Sequence, residues 1–141
     1  VSDYVVDASV AAKWFFAEVH GEEALRLLEP RHRLYAPDFL LVEFDNMVWK
    51  RVRRREIAAA HGASVRSGLR LLPVQMQPSA SLLESAYETA LLTDRSVYDS
   101  LYVALAMLLG APMVTADRRL YDALAPGPFA KYLAWVEDLV E

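Results

Sequence analysis

Four acidic residues, Asp7, Glu43, Asp99 and Asp117, sit in or at the exit of strongly apolar segments, where a carboxylate is hard to place. Asp7 closes the run Tyr4-Val5-Val6, and Asp117 comes two residues after Met113-Val114-Thr115. Asp99 is the only charge between Ser96 and Leu109, and Glu43 lies inside Phe39-Leu40-Leu41-Val42-Glu43-Phe44. Burying a bare carboxylate costs several kcal/mol or keeps it protonated, so each acid needs a partner. No Lys or Arg run stands beside these positions to pair with all four. A fold that brings the four acids around one divalent cation satisfies them together.

Short apolar runs alternate with helical patterns, and the order reads β-α-α-β-α-α-β-α-α-β-α-β. Strands are expected at residues 4–7, 34–36, 72–76, 113–115 and 132–136. Helices are expected at 9–18, 22–28, 38–55, 56–68, 81–92, 96–109 and 118–124. Pro73 confines the start of its strand to an edge or a first position. Gly110 and Pro112 stop the helix before them. This alternation predicts a single α/β domain over residues 1–141, with a mostly parallel central sheet flanked by helices on both faces. No internal repeat, low-complexity tract or linker divides it, and Pro126-Gly127-Pro128 reads as a surface turn.

In open α/β sheets, sites form beyond the carboxyl ends of the strands. The pattern strand, acid, helix places Asp7 and Asp117 there. Asp99 starts the helix that leads into the strand before Asp117, so it is expected on the same side. The helix of Glu43 is apolar almost all round, which predicts that it runs buried through the core. Local explanations compete: Asp7 and Asp117 also suit N-cap positions, and Ser96-Val97-Tyr98-Asp99 matches a capping box. Asp38 reads as an N-cap, Asp45 as solvent-facing, and Asp94 as a loop residue that is at most an outside metal candidate.

Cysteine is absent, which excludes disulfides, thiolate chemistry and Cys-based zinc sites, and the three His are not paired on one face. No run approaches the length of a membrane span, no export signal is read at the start, and a cytoplasmic location is the default. A net charge of −4 gives no overall attraction to nucleic acid, so any such binding must be local. The one basic patch is Lys50-Arg51-Val52-Arg53-Arg54-Arg55, which also suits the negative end of a helix dipole. Trp14, Phe15, Phe16 and Trp49 read first as core and otherwise as a groove or dimer face.

The chain resembles the PIN domain, and within it the VapC toxins of type II toxin–antitoxin pairs. The matching pieces are Val5-Val6-Asp7-Ala8-Ser9, Pro37-x5-Glu43-x2-Asn46, the run from Tyr98 through Asp99 to Ala106, and Val114-Thr115-Ala116-Asp117-x2-Leu120. Their order and spacing cover nearly the whole chain. The one small departure is Ser100, where many relatives carry Ala. The resemblance implies a metal-dependent endoribonuclease with Asp7, Glu43, Asp99 and Asp117 as catalytic residues and metal ligands. Ser9, Asn46 and Thr115 would support them. Oxygen ligands of this kind favour Mg²⁺, with Mn²⁺ as the second choice. The resemblance also implies an RNA substrate, a homodimer and a cognate VapB-like antitoxin. Arg51, Arg53, Arg54 and Arg55 are the candidate RNA guides. A PIN nuclease of RNA processing and a catalytically silent PIN interaction domain are the alternatives. A haloacid-dehalogenase-like enzyme would want Asp-x-Asp at the first strand, and Asp7-Ala8-Ser9 lacks it. A receiver domain would want a reactive Asp where Gln77 and Pro78 follow the third strand.

Overall fold

A computed structural model describes residues 2–139. Five strands form one parallel sheet in the order β3-β2-β1-β4-β5: β1 (Ser2–Val6), β2 (His32–Pro37), β3 (Val74–Gln77), β4 (Met113–Thr115) and β5 (Leu133–Trp135). Seven α-helices connect them: α1 (Ala8–Ala12), α2 (Gly21–Arg26), α3 (Phe39–Arg53), α4 (Ala59–Leu71), α5 (Leu83–Thr93), α6 (Val97–Leu109) and α7 (Arg118–Leu124). The element order is the one expected from the sequence. The Pro73-flanked strand is an edge strand, as a residue without an N–H requires.

β1 pairs with β2 on one side and β4 on the other, with Val6 opposite Val114. From β1 the chain steps outward to β2 and β3, then crosses back to β4 and β5. Right-handed crossovers therefore put α1–α4 on one face and α5–α7 on the opposite face. The order reverses between β1 and β4, and a crevice opens there beyond the strand ends. Val5, Val6, Met113 and Val114 are fully buried beneath it.

α6 is the most buried helix, with every residue from Ser100 to Ala106 inside the core. Gly110 ends it at φ +64°, where the absence of a Cβ removes the steric cost of the left-handed turn. Ser100 is buried and its hydroxyl finds no hydrogen-bond partner. Its position thus acts as a small apolar one.

Four sequence expectations are corrected. α3 is not buried all round: only Leu40, Phe44 and Val48 are, while Val42 is 62% exposed. The first helix ends at Ala12 rather than running to residue 18, and Trp14 then donates its indole N–H to the Ala24 carbonyl at 2.8 Å. Asp38 does not cap α3. Ser79, in a 3₁₀ turn, accepts the Phe39 N–H at 2.9 Å, and Asp38 accepts the Ser79 N–H at 3.0 Å, which lowers the pKa of its carboxyl. Asp45 is not left to solvent; Arg66 and Arg70 of α4 donate to it at 2.7 and 3.0 Å.

Candidate active site

Asp7 leaves the end of β1 and Asp117 follows β4, so the central strand pairing sets them side by side across the crevice. Both are also N-caps: Asp7 Oδ1 accepts from Val10 N at 3.1 Å and Asp117 Oδ1 from Leu120 N at 3.2 Å. Capping and site-building are therefore the same placement. Each acid turns the chain from strand to helix, and each helix N-terminus favours its negative charge.

Two hydroxyls tie the strand ends together. Ser9 Oγ donates to Asp7 Oδ1 at 2.6 Å and accepts the Ala116 N–H at 2.9 Å. Thr115 Oγ1 donates to Asp7 Oδ2 at 2.5 Å and accepts the Asp117 N–H at 3.0 Å. Both oxygens of Asp7 are thereby fixed, and its orientation is coupled to the loop that carries Asp117. Ser9 and Thr115 thus both touch Asp7 directly. Asn46 instead borders a cleft with Glu43, Phe39, Val42 and Tyr98 and is exposed.

Glu43 reaches the site from the second turn of α3, where the Tyr102 hydroxyl of α6 donates to its Oε1. Tyr102 is 2% exposed and belongs to the core. The sequence reading gave it no role. Its signal is its place three residues after Asp99, one helical turn along the same face, with a hydroxyl inside an otherwise apolar run. Asp99 sits in the first turn of α6, where Ser96 Oγ accepts its N–H at 3.0 Å. Arg95 is the second unforeseen partner: its guanidinium lies 3.4 Å from Asp99, the one ion pair made by any of the four acids among the described residues. The Arg95 Nε is buried without a partner.

Electrostatics shows that the four acids share one field. Burial pushes the Asp7 carboxyl from 3.8 up to about 6, against its hydroxyl donors, and the Asp117 charge adds to the rise. Burial also raises Glu43, with Tyr102 opposing and Asp7, Asp99 and Asp117 repelling. Asp99 is raised by burial and by Asp117, with Arg95 opposing. Yet no three His, Asp or Glu side chains among the described residues stand close enough to form a ready cage for a metal. The arrangement is an open acidic crevice. Such a donor set suits Mg²⁺, which keeps several waters and needs only one or two direct carboxylates.

Among the described residues, none of the remaining sequence candidates makes a hydrogen bond or ion pair with the four acids. Asp94 is exposed and takes the left-handed conformation, φ 57°, that ends α5. Arg51 is engaged elsewhere: it pairs with Glu18 at 2.7 Å and stacks over Phe16 at 4.0 Å. Arg53 lies over Trp49 at 5.2 Å, and Arg53, Arg54 and Arg55 are exposed. Three of the four aromatic residues pack inward as the core reading expects, while Trp49 is 54% exposed beside a 470 Å³ groove between α3 and α4.

The fold and its crevice define an α/β domain with an acidic, oxygen-only site at the switch point of a parallel sheet. The family model of the PIN domain matches residues 4–124, and the chain belongs to that family. It is 31% identical over 120 residues to Ribonuclease VapC3 of Pyrobaculum aerophilum, spanning 84% of this chain and 92% of that protein. Among solved structures it resembles PAE2754 from the same organism, with a TM-score of 0.73 and 24% identity, over 98% of this chain and 86% of the other. It also shares its fold with VapBC2 from Rickettsia felis, solved bound to a DNA fragment from their promoter, with a TM-score of 0.64 and 14% identity. That match covers 94% of this chain and 98% of the other.

Proposed function

We propose that this protein is a metal-dependent endoribonuclease that hydrolyses RNA phosphodiester bonds and serves as the toxin of a toxin–antitoxin pair. The observation that carries this reading is the Asp7 carboxylate, buried, raised in pKa and locked by Ser9 and Thr115 against the loop of Asp117. A carboxylate held so firmly in an unfavourable place makes sense as a cation ligand. The likeness to Ribonuclease VapC3 supports RNA as the substrate. The likeness to VapBC2 supports an antitoxin partner. A homodimer and a cytoplasmic location complete the proposal; among the described residues no helix is long and apolar enough to cross a membrane.

Asp7, Glu43, Asp99 and Asp117 would hold Mg²⁺ or Mn²⁺. When bound, such an ion supplies Lewis acidity toward phosphate oxygens and a way to make water nucleophilic near neutral pH. The chain's own residues do the rest. Ser9 and Thr115 fix the direction of Asp7, and Tyr102 fixes that of Glu43. Glu43, whose Oε1 is held by Tyr102, would keep its other oxygen to take the proton that attacking water gives up. Arg95, paired with Asp99 through its guanidinium, would place a positive charge beside the phosphate.

Purified protein incubated with a pool of labelled RNAs should cut in Mg²⁺ and in Mn²⁺ but not in EDTA. An Asp7→Asn variant should cut nothing. Millimolar Mg²⁺ should also raise Tm, since an ion that binds only the folded state stabilises it. Cleavage that persists in EDTA, or in the variant, would refute the mechanism.

Arg53, Arg54 and Arg55 remain the proposed guides for the RNA backbone, and Arg51 leaves the set because Glu18 already holds it. Replacing the three with Gln should flatten the dependence of log affinity on log salt by roughly 0.7 for each phosphate that the protein no longer neutralises. An unchanged slope would remove them from the interface.

A further inference from the structure

The cleft beside Glu43 is walled by aromatic surface on one side and by polar groups on the other. Tyr98 and Phe39 lie parallel, 6° apart in plane, with ring centroids separated by 5.0 Å. Tyr98 is 62% exposed, although it belongs to the helix whose next turns are almost fully buried. Phe39 stands four residues before Glu43, one turn below it on α3, and Tyr98 immediately precedes Asp99. The pair is thus fixed through the backbone to two of the four acids. Val42, also 62% exposed, and Asn46 close a space of 380 Å³ with Phe39, Glu43 and Tyr98.

A nucleotide has this same division, an anionic phosphate beside a flat aromatic base. An exposed tyrosine backed by a second parallel ring offers a rigid stacking face, and stacking accepts any base. Asn46 adds an amide with both donors and an acceptor, the groups needed to meet a base edge. We infer that Tyr98, backed by Phe39, is the stacking platform for the nucleobase next to the scissile phosphate, with Asn46 contacting that base's edge. This rests on the ribonuclease reading above and extends it from the chemistry to the substrate.

Two measurements test it: fluorescence of single-stranded RNA carrying 2-aminopurine, titrated with protein in Ca²⁺, and cleavage of the labelled RNA pool in Mn²⁺. The wild-type protein should quench the 2-aminopurine. Tyr98→Ala should lose the quenching and raise the RNA concentration for half-maximal cleavage roughly ten- to hundredfold, with its Tm retained. Tyr98→Trp should restore both. Tyr87→Ala, a control at a residue 58% exposed on α5, should change neither. Asn46→Ala should alter which base is preferred at the cut. Wild-type cleavage matched by Tyr98→Ala overturns the platform and leaves the nuclease standing. A Tyr98→Ala variant that cuts normally but loses self-association assigns the face to a second copy, and also overturns it. Wild-type protein that cuts no RNA in any metal and quenches no probe brings down both readings together.

Discussion

Asp7→Asn is expected to abolish RNA cleavage and yet to make the metal-free protein more stable at pH 7. The carboxyl titrates at about 6 in the fold against 3.8 for the free group. Between those values the folded chain holds a proton that the unfolded chain has released, so stability falls as pH rises through that window. Above it the charged form costs the fold about 3 kcal/mol, an order-of-magnitude figure from the size of the shift. Asn removes that cost. Its amide oxygen can keep the bonds from Val10 N and Ser9, and its NH₂ can donate to Thr115 Oγ1, whose own proton can turn to Ser9 Oγ at 3.5 Å. Allowing about 1 kcal/mol for imperfect bonds leaves a gain of about 2 kcal/mol, or roughly 5–10 °C in Tm. The gain should vanish near pH 4. Thermal melts of both proteins in EDTA across pH 4–8 check this, and a variant less stable than wild type at pH 7 would show that Asp7 is not under strain.

Tyr102→Phe should act in the opposite sense on stability and through a different acid. It leaves the ring and its packing intact but strips Glu43 of its only hydroxyl donor among the described residues. A half-buried carboxylate left without its bond costs about 1 kcal/mol, since water takes up part of the loss. The Tyr102 bond holds the Glu43 pKa down against burial and the other acids, so its stabilisation is present where Glu43 is ionised and is lost as pH falls. The stability difference between wild type and variant should therefore shrink in acid. Because Glu43 would then hold its proton to higher pH, the acidic limb of the cleavage profile should move upward, with kcat falling more than KM rises. A purely structural tyrosine would lower Tm and leave that limb in place. Melts across pH and a pH profile of cleavage in Mn²⁺ tell the two apart.

How far the sequence revealed the site depended on how local each signal was. Asp7 and Asp117 could be placed because strand, acid and helix are contiguous, and the parallel sheet left few ways to arrange their strands. Ser9 and Thr115 lie within two residues of those acids, and it was the resemblance to the PIN domain that pointed to them. The partners of Glu43 and Asp38 could not be seen so easily. Tyr102 lies 59 residues from Glu43 and Ser79 lies 41 from Asp38, and nothing in either neighbourhood announces the meeting. α3 was misjudged for another reason. A stretch of six with five apolar side chains looks uniformly buried when read as a line, but a helix turns each residue about 100° from the last, so Val42 and Phe44 face different surroundings. The basic patch was visible as composition, but composition could not show that Glu18 takes Arg51.

The position of β1 at the centre of the sheet, between β2 and β4, also sets a clock. Asp7 leaves a translating ribosome 108 residues ahead of its hydroxyl partner Thr115, and Asp117 follows two residues later. At roughly 5–20 residues per second, the delay is on the order of ten seconds. Throughout that interval the first acid lacks β4, the Thr115 hydroxyl and Asp117, so its site is incomplete. On the proposed reading, a nascent chain should therefore be inert toward the messenger that encodes it and the ribosome that makes it until β4 is in place.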